Sequence, residues 1–125
     1  MIVAFSFSSM AGTGHELTLN ATKKHPSAKG TALINDGNMS LQARGLKPDS
    51  VYTVWFVNMK PKKHETGAGV APYMFKTGAN GFGQYSASLS ESSFGQWQMI
   101  MIVLHPNGDL TDMKNMVGAL AAKLT

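Results

Sequence analysis

Val51, Tyr52, Thr53, Val54, Trp55, Phe56 and Val57 form an unbroken run of β-branched and aromatic residues. Such side chains lose rotamer freedom against a helical turn but pack well on a pleated surface. Both alternating faces of the run are largely apolar, the pattern of a central strand covered on two sides. Gly45-Leu46-Lys47-Pro48-Asp49-Ser50 precedes it and supplies a turn with a proline of fixed φ. The chain is therefore expected to be all-β, organised around a strand at Val51–Asn58.

Weaker patterns surround that strand. His15 to Thr22 sets Leu17, Leu19 and Ala21 against Glu16, Thr18 and Asn20, a period of two. Ile2 to Phe7 alternates more loosely and suits an edge strand. Thr31–Ile34 and Met39–Ala43 flank Asn35-Asp36-Gly37-Asn38, and Asp-Gly between such runs predicts a type I′ hairpin. Met59 to Val70 has the composition of a long loop. Ala71–Thr77 and Gly83–Leu89 suggest a second hairpin around Gly78-Ala79-Asn80-Gly81, and Trp97–Leu104 is a second nearly continuous apolar strand. The tail from Met113 to Leu124 fits either a short helix or a strand. Gly118 weakens the helix, so a turn followed by a closing strand is favoured. Eight or nine short strands with regular turns predict a Greek-key, immunoglobulin-like β-sandwich in a single domain, residues 1–125.

Composition excludes several classes. Hydrophobic residues make up 43% and charged ones 14%, so disorder is disfavoured and the surface must be rich in Ser, Thr, Asn and Gly. The absence of Cys removes disulfides, thiolate metal sites and a Cys nucleophile. No apolar run approaches the roughly 18 residues of a membrane helix. The start, MIVAFSFSSMAG, has no basic signal-peptide region, and the low-charge surface suggests a mature periplasmic or extracellular form from which a leader was removed.

Gly45-Leu46-x-Pro48-x-x-x-Tyr52 resembles the turn and strand of fibronectin type III and other immunoglobulin-like sandwiches. The resemblance implies a tyrosine corner, in which Leu46 plugs the core, Pro48 shapes the bend and the Tyr52 hydroxyl bonds back to upstream backbone. With Trp55, Gly81, Phe82, Pro106 and Gly108 included, the chain also loosely resembles the extracytoplasmic sandwich domain of membrane-bound anti-sigma regulators. Both resemblances assign Gly45, Leu46, Pro48, Tyr52 and Trp55 to folding.

Two groups of residues carry candidate chemistry. His105, Met113 and Met116 surround one loop after a strong strand, and His15 could join them. Imidazole with thioethers suits Cu(I), so a copper carrier or sensor is an alternative function. The competing explanation is that methionines fill the core and His-Pro shapes a turn. Lys60, Lys62, Lys63 and His64 form a basic loop within a net charge of +4, suited to a protein partner. Tyr73 and Phe82 lie near this loop in sequence, as single-stranded nucleic acid binding would need, but a charge run is more often a solvated face and that reading is the weaker one. Gly78-x-x-Gly81-x-Gly83 continues into a strand rather than a helix and cannot cradle phosphate. No nucleophile elbow occurs, and Asp112 suits turn capping and Asp109 a hairpin-end contact better than paired acid–base work. The sequence thus points to a non-enzymatic module without a required cofactor, acting through loops or edge strands by partner binding or self-association.

Overall fold

The computed structural model describes residues 15–35, 37–89, 96–112 and 114–124. The strands are β1 (His15–Ala21), β2 (Lys29–Ile34), β3 (Asn38–Arg44), β4 (Val51–Asn58), β5 (His64–Gly67), β6 (Met74–Lys76), β7 (Gly83–Ser88), β8 (Met99–His105) and β9 (Val117–Lys123). All pairings are antiparallel, in the order β5-β4-β8-β9-β1-β2-β3-β7, with β6 beside the first half of β4. The described residues contain no helix. The expected edge strand at Ile2–Phe7 lies outside them, as do Asp36 and Met113.

The sheet curls into a β-sandwich-like fold because β1 changes partners. His15 to Leu19 pair with β2, whereas Asn20 and Ala21 pair with β9. Thr22 continues the second pairing through its backbone N–H to Ala119 and its hydroxyl to Gly118. One layer is then β1-β2-β3-β7 and the other β9-β8-β4 with β5 and β6. Between them lie Leu19, Ile34, Met39, Leu41, Val54, Ile100, Ile102 and Leu120, all fully buried. Burial of each such large aliphatic side chain contributes about 1.5–3 kcal/mol. A bulge opposite Ile102 and Val103 turns both Ala119 and Leu120 inward.

Two expectations need correction. His64–Gly67 is a strand, not part of a loop, because the end of β4 offers it a ladder at Trp55–Asn58. Ala71–Thr77 contributes only Met74–Lys76 as strand, and this strand pairs with β4 rather than forming a hairpin ladder with β7. Phe75 instead packs its ring over Gly83, whose missing side chain leaves the space. The C-terminal segment resolves as strand: Val117–Lys123 completes the second layer against β8.

The crossover from β3 to β4 is built around Tyr52. Its hydroxyl accepts the Lys47 N–H at 2.8 Å, five residues upstream, and its ring is fully buried and stacked on Phe75 at 5.6 Å. Leu46 is buried beside it and donates its N–H to Gly81. Gly45 and Gly81 both have positive φ, and a Cβ on either would fall within 2.4 Å of a backbone oxygen. Gly81 lets the β6–β7 loop close on the corner at Leu46, and Gly45 lets the corner close on Ser27 in the β1–β2 connection. Thr77 ties the same region, donating its hydroxyl to the Lys47 carbonyl and accepting the Ser50 N–H.

His25 completes the corner, its Nε2 3.2 Å from the Tyr52 hydroxyl. Since that hydroxyl already accepts from Lys47, its own proton is free to go to Nε2. The Nδ1 atom then carries the imidazole proton, shielded and without a partner. Tyr52→Phe removes the acceptor of a part-buried N–H and should cost about 1 kcal/mol in urea unfolding. An unchanged midpoint would show that the corner hydroxyl holds nothing.

Burial pushes the His25 pKa below its ordinary 6.5. The unfolded chain therefore takes up a proton near pH 6.5, while the native chain takes it up only at lower pH. Stability is fully present above that window and falls as pH drops through it. His25→Gln should flatten this part of the urea-midpoint profile, and a profile identical to wild type would refute the assignment.

Candidate functional site

The basic loop is the turn between β4 and β5, and it is held from outside by one residue. The Gln98 carboxamide oxygen accepts the N–H of Met59 at 2.7 Å and of Lys60 at 3.2 Å, while its nitrogen donates to the Lys60 carbonyl at 2.7 Å. Gln98 is fixed in turn by its backbone N–H to the Asn58 carboxamide and Val57 carbonyl, and by its own carbonyl accepting from Leu124. Asn58 also donates to the Gln96 carbonyl. Backbone groups that would otherwise be solvated and mobile are thus satisfied by side chains.

Lys60, Lys62 and Lys63 stand exposed on this clamped turn. None has a carboxylate partner among the described residues. His64, which begins β5, lays its ring on Trp97 at 5.4 Å, and Trp97 stacks on the core residue Phe56 at 6.2 Å. A column from core to surface therefore anchors the base of the turn. Exposed Met59 adds an apolar element next to the lysines. The aromatic neighbour of the basic turn is Trp97; Phe82 belongs to the other end of β4, beside the corner.

His105 has a different environment. It is 2% exposed at the end of β8, on the sheet face away from the core, opposite Val51. The Asp109 carbonyl can only accept, so His105 Nδ1, 3.2 Å away, donates to it. Nε2 receives the Thr53 hydroxyl at 2.8 Å, and Thr53 in turn accepts the Trp55 indole N–H at 2.8 Å. Trp55, Thr53, His105 and Asp109 thus form one directional chain in which both imidazole nitrogens are used. A metal at His105 would have to displace one of these bonds.

Of the other members of the soft-ligand set, Met116 is half-buried just before β9, one residue from the Leu104–Val117 pair and so beside the end of β8 that carries His105. Met113 lies outside the described residues. His15 is exposed at the start of β1, whereas the end of β1 that meets β9 is Thr22. An extended strand puts those positions about 23 Å apart. Among the described residues no group of three His, Asp or Glu side chains could hold a metal.

Asp109 and Asp112 organise the same loop. Asp109 accepts the Thr111 hydroxyl and N–H, and Asp112 accepts the N–H groups of Lys114 and Asn115 together with the Asn107 and Asn115 amides. These bonds hold both carboxyls below the usual carboxylate range. Both cap the turn, Asp112 as expected from the sequence and Asp109 in place of the expected hairpin-end contact.

The fold defines the class, an antiparallel β-sandwich-like protein with a clamped basic turn. Comparison with protein-family models, curated proteins and solved structures yields no match. Sequence reasoning found the lysines and His64 but not Gln98 or Trp97, whose partners lie some forty residues away. Gln98→Ala should speed hydrogen exchange at Met59 and Lys60 by about tenfold or more, one lost hydrogen bond each, while leaving central β4 amides protected. Equal protection in the variant would show that the clamp is incidental.

Proposed function

We propose that this protein is a non-catalytic, extracytoplasmic recognition module that binds an acidic protein surface through the turn carrying Lys60, Lys62, Lys63 and His64. The observation that carries this reading is preorganisation: Gln98 fixes the backbone at Met59 and Lys60, where the turn begins, and Lys60, Lys62 and Lys63 have no carboxylate partner among the described residues. Ordering entropy that a floppy loop would lose on binding is already lost in folding. The Trp97–His64 stack supplies an aromatic shoulder of the kind that anchors protein interfaces.

The tyrosine corner supports grouping the chain with immunoglobulin-like and fibronectin type III-like sandwiches. The positions of Gly81, Phe82, Pro106 and Gly108 support the looser kinship with anti-sigma regulator domains, and with it the extracytoplasmic setting. Function does not follow from either kinship, since such sandwiches host many roles. A copper carrier remains the alternative from a different class, but the engaged nitrogens of His105 favour the recognition module.

A poly-glutamate peptide serves as probe for the acidic surface. It should bind in low salt, weaken steeply between about 50 and 300 mM salt as exposed charges are screened, and lose about tenfold or more in affinity in the triple variant Lys60→Gln, Lys62→Gln, Lys63→Gln. No binding, or binding indifferent to the triple variant, rejects the acidic-partner reading. Concentration-dependent self-association lost in the triple variant would make the partner a second copy of the chain and reject a separate protein.

A further inference from the structure

The outer face of the β1-β2-β3-β7 layer carries cations that the basic turn does not explain. Along its strands the core residues Leu19, Ala32, Leu41, Ala43 and Tyr85 alternate with side chains that point to solvent. The register sets those outward side chains in rows across the layer. Lys29 stands opposite Arg44. Phe82 lies beside Arg44, because it precedes Gly83, which faces inward under the Phe75 ring and pairs with Ala43. The next row runs Thr18, Thr31, Gln42 and Gln84. Thr18, Lys29, Arg44 and Gln84 are exposed, and Thr31 and Phe82 are half-buried. Beyond Leu19, β1 parts from β2, and Thr18, Lys29, Thr31, Arg44 and Phe82 border the resulting hollow of about 740 Å³.

Two properties of this face define an occupant. Like charges directly opposed across a ladder destabilise a sheet, and neither Lys29 nor Arg44 has a carboxylate partner among the described residues. The acid on the same face, Glu16, lies two rows away, opposite Leu33. An anion held between the two cations relieves their repulsion. The adjoining row is neutral, with a hydroxyl or an amide on each of four neighbouring strands spaced about 4.8 Å apart. That spacing is close to the length of one pyranose residue in an extended chain, so successive sugars meet successive strands. We propose that this face binds a uronate polysaccharide lying across the strands. A carboxylate sits between Lys29 and Arg44, whose guanidinium offers it two parallel N–H donors. Thr18, Thr31 and Gln84 take ring hydroxyls, and Phe82 covers the C–H face of one ring. Single-stranded nucleic acid requires a succession of stacking aromatics, and in these two rows Phe82 is the sole aromatic.

Calorimetric titration of the full chain with tetragalacturonate, its methyl ester and an oligothymidylate of equal charge tests this. Tetragalacturonate should bind one-to-one and weaken steeply between about 50 and 300 mM salt. The methyl ester keeps the rings and hydroxyls without the charge, and should bind at least about tenfold more weakly. Oligothymidylate should also bind more weakly than the sugar acid. Lys29→Gln with Arg44→Gln should weaken tetragalacturonate by about tenfold or more. Thr18→Val with Gln84→Leu should weaken it by about fivefold or more and leave its salt dependence unchanged, the mark of lost neutral hydrogen bonds. Lys60→Gln, Lys62→Gln and Lys63→Gln together should change none of these values, which separates this face from the basic turn. Relief of the Lys29–Arg44 repulsion means that their double variant should unfold at no lower urea concentration than wild type, so its loss is one of binding. Absence of tetragalacturonate binding, equal binding of the methyl ester, indifference to either double variant, or oligothymidylate bound as tightly overturns the proposal.

Discussion

A phenolic hydroxyl inside the sandwich must find partners, and where it finds them decides how the two layers join. Tyr52 occupies an inward position of β4, so its hydroxyl reaches the end of the core, where the chain crosses from β3. The Lys47 N–H there has no ladder partner and would be an orphan donor without it. One bond thus satisfies two groups that are costly to leave unpaired, and it fixes the angle at which β4 enters the second layer. Gly45 and Gly81 follow from it, because a corner pulled that tight brings backbone within 2.4 Å of where their side chains would be. The row Tyr52, Phe75 and Tyr85 extends the constraint across the core, ending where the Tyr85 hydroxyl donates to the Ala68 carbonyl. The same segment packs on β7, as Gly69 comes close to the Ala87 side chain and the Tyr85 hydroxyl.

That corner was legible because its signals are local: Gly, Leu, Pro and Tyr lie within eight residues and each has a separate steric reason. β4 and β8 were legible for the same reason, each carrying its own composition. β5 was not. His-Glu-Thr-Gly has little strand propensity and no apolar alternation, and it is a strand only because β4 extends past β6 and leaves ladder positions open. The partner of β6 was hidden in a similar way, since three residues cannot announce which neighbour they will join. The alternation that marked Val117–Lys123 as strand was blurred by the bulge at Ala119, which puts two buried residues in succession.

Polar residues were harder still, because their roles are set by neighbours distant in sequence. His105 suggests a ligand when only its loop is considered. In the fold, Thr53 lies fifty-two residues before it and supplies the hydroxyl that occupies Nε2. Trp55, assigned by sequence to folding, half-covers this chain on the outer face. Gln98 is the converse case: nothing near it in the sequence marks it, yet it sets the shape of the basic turn. A buried or clamping polar group is recognisable only once the groups it satisfies are known.

The rigidity of β4 gives these polar elements a common frame. Arg44 lies just before the corner that begins the strand, and the lysine turn begins just after Asn58, where it ends. Eight extended residues separate the two by about 26 Å, well beyond the distance over which exposed charges interact at physiological salt. The two cationic surfaces therefore do not share one field. The geometry of the turn is set locally, by the Gln98 clamp. Neutralising one leaves the charge of the other intact. A single strand, locked at its start by Tyr52 and extended at its end by β5, keeps both surfaces independent on one small core.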